Sequence, residues 1–324
     1  MGLKSVYIPA YIPKPAIIFF AIFAILPLIF SNPYHLRILT IVVLYASFVY
    51  AANIIIGESR QLFLCMSALA GISAYTSSIL SLSLGINPWL TIPAGILFST
   101  AVGALLSYVS IVRGLGEVFV AIVTLTFSLI FENVVLGLRW LTMGETGLVT
   151  PALWWPFQEI VGKRVASYYT ILIFTLLVSI LYANLVRSRL GIALRAIRSD
   201  RVSAEVVGID VTKYNVIAAS IGSGILALGG AFYGYFNGMV SPGVYSLSVD
   251  IAIILMLVLG GIRTLYGPLI GSVAIVLVLE TTRGLGQLTL TFLGILLVVL
   301  ILTFREGISS IIERAAVRLS GQGQ

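Results

Sequence analysis

Long apolar runs recur from one end of the chain to the other, and they constrain its fold more than any other feature. Ten can be drawn, at residues 16–30, 36–56, 62–84, 89–112, 118–138, 167–186, 214–237, 251–262, 269–279 and 288–303. About 20 apolar residues in a helix cross the hydrocarbon core of a bilayer. Charged residues make up 10% of the chain, against roughly 25% in a soluble domain. The sequence therefore predicts an all-α, polytopic integral membrane protein with about ten transmembrane helices.

Two of the runs are short for a bilayer. Runs 251–262 and 269–279 contain 12 and 11 residues, and a helix of that length does not cross the hydrocarbon core. They can be two half-helices around residues 263–268, or longer helices whose polar ends lie outside the apolar runs.

Basic residues predict the orientation. With a cytoplasmic N-terminus and ten crossings, 14 of the 19 Lys and Arg fall inside, and five fall outside: Arg37, Arg139, Lys163, Arg164 and Arg283. Cytoplasmic loops carry the excess of basic residues in membrane proteins. We therefore expect both termini in the cytoplasm, in the order N-terminal segment 1–15, a single transmembrane domain 16–303 and amphipathic tail 304–324. Within that domain we expect an external loop at 139–166 and a cytoplasmic loop at 187–213.

The external loop 139–166 is rich in tryptophan, with Trp140, Trp154 and Trp155. Tryptophan is enriched where a membrane meets water. The loop is therefore either part of an interfacial aromatic belt or a docking surface for an extracytoplasmic partner.

The cytoplasmic loop contains the densest group of charges, with five Arg between residues 187 and 208. Asp200 is predicted to cap a short helix that starts at Arg201, because its carboxylate can accept backbone N–H bonds. Gly208 is predicted to end that helix in the left-handed conformation.

This short helix has two distinct sides. Glu205 is expected to be exposed, whereas Val202, Val206 and Val207 form an apolar edge. Upstream, the three-residue spacing of Arg195, Arg198 and Arg201 predicts a basic stripe. An apolar edge in the cytoplasm needs a groove to bury it, and the alternative is a solvated loop whose charges only retain orientation.

Glycine recurs every fourth residue at Gly230, Gly234 and Gly238. Small residues at this spacing allow close helix packing in membranes, either within the chain or against another subunit.

Ionisable groups inside a bilayer are candidates for function. Glu132, next to Asn133, lies well inside the fifth run. It is predicted to line a pathway, to pair subunits, to form a structural pair or to be exposed near the outer interface. Asp250 and Glu280 lie at the ends of runs, where we expect contact with headgroups or water.

Other classes of site are excluded by composition. With Cys65 and His35 as its single cysteine and histidine, the chain cannot supply the roughly four ligands of structural zinc. It contains no Gly-x-x-x-x-Gly-Lys-Ser/Thr motif, the signature of a phosphate-binding loop. We expect no metal, no cofactor and no enzymatic activity in this chain. The net charge of +7 is interpreted as an orientation signal and not as a nucleic-acid site.

Several short motifs occur together in an order that resembles a known family. They are Ser-Arg-Leu-Gly at 188–191, Arg-Ala-Ile-Arg at 195–198, Ala-Glu-Val-Val-Gly-Ile at 204–209, Leu-Val-Leu-Gly-Gly at 257–261 and Tyr-Gly-Pro at 266–268. The chain resembles the inner-membrane permease subunits of branched-chain amino-acid ABC importers, and the M-type of the two paired permeases more than the H-type. The likeness covers roughly residues 53–307.

The resemblance implies an assembly in the cell membrane. It pairs two related permeases with two cytoplasmic ATPases, which bind the ATP, and with an extracytoplasmic substrate-binding protein. Residues 199–208 correspond to the family's coupling helix, so the ATPase contact is predicted to include Arg198, Asp200, Arg201, Val202, Ala204, Glu205, Val206 and Gly208. Possible pathway residues are Asn53, Glu132 and Asn133.

Two alternatives remain open. Related permeases import urea, short amides, sugars or nucleosides, and this chain departs from the family pattern at Arg60, Cys65-Met66, Leu129 and Glu132. A secondary transporter coupled to ions is the other alternative. It needs intramembrane acids and often shows inverted repeats, but Glu132 is the one clear acid and no repeat is evident.

Overall fold

Helices make up nearly all of the regular structure. The computed structural model describes residues 14–29, residues 32–282 and isolated helical positions between 288 and 299. Among these residues lie thirteen α-helices: α1 (Lys14–Ile29), α2 (Pro33–Ala52), α3 (Met66–Leu84), α4 (Pro88–Val112), α5 (Glu117–Gly137), α6 (Arg139–Thr142), α7 (Gln158–Val161), α8 (Lys163–Arg187), α9 (Arg189–Ser199), α10 (Arg201–Val206), α11 (Val211–Asn237), α12 (Leu247–Gly260) and α13 (Gly267–Thr282).

Five short elements complete this description. A π-helix, Asn53–Glu58, continues α2, and 3-10 turns occupy Gly144–Thr146 and Pro242–Tyr245. Strand β1 (Leu148–Val149) pairs antiparallel with β2 (Met239–Val240), with Leu148 opposite Val240.

The predicted class is confirmed. In the described part of the chain, seven helices are long and apolar enough to cross a membrane, and α13 is a shorter apolar helix. The count of ten spans and the cytoplasmic termini stay predictions. The N-terminal segment before residue 14, most of the tenth run and the amphipathic tail 304–324 lie outside the described residues.

The two short runs belong to longer helices. Helix α12 starts at Leu247, directly after the 3-10 turn Pro242–Tyr245, and α13 extends from Gly267 to Thr282. The apolar runs had omitted polar residues such as Asp250 and Glu280, which the helices include. The second alternative is therefore the correct one.

Local sequence sets several helix starts. Asn32 precedes Pro33 and accepts a hydrogen bond from the backbone N–H of Tyr34, and Asn87 precedes Pro88 in the same arrangement. An asparagine cap followed by proline in the first turn is a strong start signal, because proline lacks the N–H that would be left unpaired. Both starts lie at the end of the bundle that is predicted to be external.

The centre of the bundle is the contact of α3, α4 and α11, with α2 and α8 beside it. A methyl group on Gly230 would overlap the backbone of Ala70 in α3, and one on Gly234 would press on Val240. These two glycines pack within the chain. Gly238 does not share their face: it ends α11 with a φ of 76° and has open space around its Cα. The prediction of three packing glycines is wrong at Gly238, since the helix ends there.

The external loop is folded against the bundle. Trp155 is fully buried beside Phe232, and Trp89 Nε1 donates to the carbonyl oxygen of Trp154 at 2.7 Å. An interfacial position for Trp155 is therefore wrong, because its indole belongs to the core. Trp140 and Trp154 remain exposed.

Replacement of Gly230 by alanine tests this packing. We expect Gly230→Ala to lower the free energy of unfolding by about 1–3 kcal/mol, because its methyl group meets backbone that cannot move aside. Gly224→Ala on the same helix is the matched control, since its methyl group would make an ordinary 3.4 Å contact with Thr100. Thermal unfolding in detergent measures both, and equal losses would contradict the packing role.

Candidate functional site

Helices α9 and α10 form the arm that carries the sequence motifs of the cytoplasmic loop. Asp200 separates them in extended conformation, with φ −158°. Its carboxylate accepts bonds from the N–H groups of Val202 (3.1 Å) and Ser203 (3.3 Å) and from the Ser203 hydroxyl. The hydroxyl bond, with the backbone bonds, lowers the pKa of the Asp200 carboxyl. Gly208 has a φ of 85°, so the predicted cap and helix end are confirmed.

The apolar edge of α10 is open to solvent in this chain. Val202 is 68% exposed and Val206 is 81% exposed, while Ala204 is buried at 2%. Ala204 packs with Ile111, Ile197 and Val211 in a small apolar cluster. Helix α10 is thus held by one side and presents its valines on another.

The prediction of a basic stripe is wrong, because each guanidinium binds an oxygen of this chain. Arg195 donates to the carbonyl oxygen of Val186 at 3.0 Å, and Arg198 donates to the carbonyl oxygen of Gly57. Arg201 donates to the carboxylate of Glu205 at 3.2 Å. The extended Asp200 interrupts the helix, and an acceptor lies within reach of each side chain, a backbone carbonyl for Arg195 and Arg198 and a carboxylate for Arg201. A sequence spacing of three residues could not show either condition.

Between α2 and α3 the chain leaves the helical conformation while still inside the protein. The π-helix ends at Glu58, residues 59–65 form no regular structure and α3 starts at Met66, not at residue 62 as predicted. Non-helical backbone at membrane depth is tolerated where protein surrounds it. Here the Thr124 hydroxyl of α5 binds two backbone groups of this stretch. It accepts from Leu64 N–H at 3.0 Å and donates to Leu62 O at 3.2 Å. We name residues 57–65 the interrupted segment.

Gln61 fills the middle of the interrupted segment. Its amide nitrogen donates to Ser59 Oγ at 3.0 Å and to the Asn215 carbonyl oxygen at 3.2 Å, and its oxygen accepts from Ser107 Oγ at 2.7 Å. One side chain therefore joins the interrupted segment to α4 and α11.

Asp250 holds the start of α3. This carboxylate is fully buried on α12 and accepts from Ser67 N–H (2.6 Å), Ser67 Oγ (2.6 Å) and Ser128 Oγ (3.0 Å). The first N–H groups of a helix have no partner within the helix and favour an anion. Ser128 is the twelfth of the 21 residues of α5, which places this contact near mid-membrane. The expectation that Asp250 meets headgroups or water is therefore wrong.

Glu58 forms a second buried polar contact at the end of the π-helix. It accepts from Tyr182 Oη at 3.0 Å, and its other oxygen lies 3.7 Å from Arg263 Nε. This role could not be predicted, because Glu58 stands in a short polar stretch of the sequence that resembles an ordinary loop.

The predicted pathway residues occupy two different environments. Asn53 is fully buried and holds the α12–α13 turn: its oxygen accepts from Arg263 N–H at 2.7 Å and its nitrogen donates to Thr264 O at 3.1 Å. This position inside the protein argues against contact with a passing solute. Glu132 is half-buried and Asn133 exposed on α5, and their pathway role stays a prediction.

Replacement of Asp250 tests its part in the interruption. Asp250→Leu leaves three buried donors without an acceptor, each at a cost of roughly 1–3 kcal/mol, so the melting temperature in detergent should fall sharply. Asp250→Asn keeps one acceptor oxygen, so its melting temperature should fall less. Glu280→Gln, at a half-buried carboxylate near one end of the bundle, should stay close to the parent. A small loss in Asp250→Leu would contradict the assignment.

Comparison with known proteins gives this geometry a context. A family profile described as the permease component of branched-chain amino acid transport systems matches residues 34–304. The chain belongs to this permease family. The high-affinity branched-chain amino acid transport system permease protein LivM of Salmonella typhimurium is 25% identical over 310 residues, covering 89% of this chain and 72% of LivM. LivM of Escherichia coli is 25% identical over 294 residues, covering 84% and 69%. No solved structure matches the chain significantly.

The family agrees with the fold. The chain is a multi-pass membrane permease and a transporter component, and such permeases work in ABC transporters with partner subunits. The resemblance seen in the sequence is confirmed, including its likeness to the M-type.

Proposed function

We propose that this chain forms half of the translocation pathway of an ATP-driven importer for branched-chain amino acids. A second, related permease forms the other half, two cytoplasmic ATPases hydrolyse ATP and an extracytoplasmic binding protein delivers the substrate. The family supports the substrate class, and the exposed edge of α10 supports the ATPase contact.

The observation that carries the proposal is the exposure of Val202 and Val206 on a short, doubly capped helix. Two exposed valines on one small helix favour burial against a partner, since each buried CH₂ contributes roughly 0.8 kcal/mol. The edge and Glu205, Arg201 and Gly208 around it form the proposed ATPase contact. The two caps keep α10 rigid enough to be moved as a unit.

Substitution of the edge tests this contact. Val206→Asp places a charge in the apolar groove, which should cost about 2 kcal/mol or more of binding energy and reduce ATP-driven uptake at least about tenfold in proteoliposomes. Ile192→Asp is the control, because Ile192 is 55% exposed on α9 of the same arm but lies outside the proposed contact. Equal uptake by Val206→Asp and the parent at matched expression would refute the contact.

Purification in mild detergent tests the assembly. We expect the tagged chain to retain a cytoplasmic ATPase and a second permease. A lone protein that catalyses uptake by itself would favour the ion-coupled alternative.

Helix α5 is the proposed lining of the pathway. Much of its surface is exposed in the isolated chain, and it presents Thr126 and Asn133 among apolar neighbours. Asn133 is seven residues from Thr126, so the two share a face of the helix. Polar side chains in membrane helices face a bundle interior or a water-filled cavity rather than lipid. This face, with Glu132 beside it, is therefore placed at the junction with the second permease.

Thiol labelling tests the lining. Asn133→Cys should react with a charged, water-soluble thiol reagent in the complex during ATP-driven turnover. Leu97→Cys on α4 should not react, because Leu97, at 72% exposure, is surrounded by apolar residues and would face lipid. The natural Cys65 is buried and gives little background. Equal labelling at both positions would contradict the proposed pathway face.

A further inference from the structure

Besides its packing at the end of α8, where Arg195 binds the carbonyl oxygen of Val186, the arm has two contacts of different chemistry with the membrane helices. The first is apolar and joins Ile197 and Ala204 to Ile111 of α4 and Val211 of α11. The second is polar and joins α9 to the interrupted segment. The two contacts lead to different helices, and they can be separated by mutation.

The polar contact is reciprocal. Arg198 Nη1 donates to the carbonyl oxygen of Gly57, and Arg60 Nη1 donates back to the carbonyl oxygen of Arg198 at 3.3 Å. Arg60 Nε also pairs with Glu117 Oε1 at 2.6 Å, at the start of α5. We name these four residues, Gly57, Arg60, Glu117 and Arg198, the clamp.

The clamp closes one side of an open space. A cavity of about 410 Å³ lies between the arm, the interrupted segment and the α4–α5 connection, with Arg60, Glu117, Arg198 and Asn215 among its lining residues. The polar contact between the arm and the interrupted segment therefore borders open space, while Leu194 of α9 belongs to the same buried apolar cluster as Phe63 and Cys65.

Assembly of the clamp costs free energy, which argues against an incidental contact. Burial lowers the pKa of the Arg198 guanidinium, and the nearby Arg263 and Arg60 cations lower it further. Among the described residues, four non-glycine residues have a left-handed φ, and Arg60 (57°) and Arg263 (65°) are two of them. Strained backbone of this kind persists where the surrounding structure enforces it, and it is common at switch regions.

We propose that the clamp transmits movement of α10 to the interrupted segment and the start of α3. The route has two steps: Arg198 and Arg60 join α9 to residues 57–60, and the chain then continues through residues 61–66 to Ser67, which Asp250 holds. Glu117 adds a branch to α5, the proposed pathway helix. Arg60 and Arg198 are positioning residues in this scheme, and the scheme rests on the proposed function.

The experiment measures substrate transported per ATP hydrolysed by the complete complex in proteoliposomes. We expect Arg198→Ala to lower this ratio about tenfold or more, a loss consistent with removal of one charge-assisted hydrogen bond. ATPase assembly and hydrolysis should persist, because the Arg198 guanidinium, predicted to meet the ATPase, binds the Gly57 carbonyl of this chain instead. Arg198→Lys keeps a cation and N–H donors, and it should recover at least half of the ratio.

Arg195→Ala is the matched control. Arg195 lies on the same helix and also donates to a backbone carbonyl, but that carbonyl belongs to Val186 at the end of α8, so its loss leaves the clamp intact. We expect a ratio near that of the parent. Arg60→Ala should give an intermediate loss, and it decides the matter if Arg198→Ala does not assemble, because the Arg60 side chain is 55% exposed.

The outcomes separate the two proposals. If the parent complex shows no ATP-driven uptake, the proposed function fails. If the parent works and both Arg198→Ala and Arg60→Ala keep the parent ratio, the clamp proposal alone fails. The clamp proposal also fails if Arg195→Ala lowers the ratio of transport to hydrolysis as much as Arg198→Ala does, because the effect would then reflect the general stability of the arm.

Discussion

An interruption of the backbone inside a membrane is the constraint on which most of this structure depends. Lipid offers no hydrogen bonds, so each free N–H and C=O group of the interrupted segment needs a partner from the protein. Thr124 and Arg198 supply such partners, and Asp250 supplies the acceptor for the start of α3. Helices α5, α9 and α12 are therefore positioned by polar contacts to one short stretch of chain.

Helix α5 shows the consequence most clearly. Its buried residues are few, and two of them, Thr124 and Ser128, face the interrupted segment and Asp250 through hydrogen bonds. A helix held by a few directional bonds is displaced more readily than one held by a broad apolar contact, because rearrangement sacrifices little buried area. A helix that lines a transport pathway has to change its exposure during each cycle, and this attachment suits that requirement.

The sequence predicted those features that depend on local chemistry. Apolar run length gave the fold class, and Asp200 and Gly208 bounded α10 because capping involves residues within a few positions of each other. The role of Asp250 could not be predicted, since its partners Ser67 and Ser128 are 183 and 122 residues away. The basic stripe failed for the same reason: Arg198 binds the carbonyl of Gly57, 141 residues away, which no helical spacing can show.

The arginines of the clamp serve two functions that a mutation must keep apart. Arg60, Arg198 and Arg263 all lie on the side that the positive-inside rule assigns to the cytoplasm, so each contributes to orientation as well as to the local contacts. Replacement by a neutral residue removes both contributions, whereas lysine keeps the charge and changes the geometry of donation. The lysine variant of Arg198 thus isolates the hydrogen-bond geometry, and the alanine variant of Arg195 isolates the charge, since it removes one arginine of the same arm and leaves the clamp in place. The measured quantity is substrate transported per ATP hydrolysed. A residue belongs to the mechanical connection, and not only to the orientation signal, if its replacement lowers this ratio more than Arg195→Ala does.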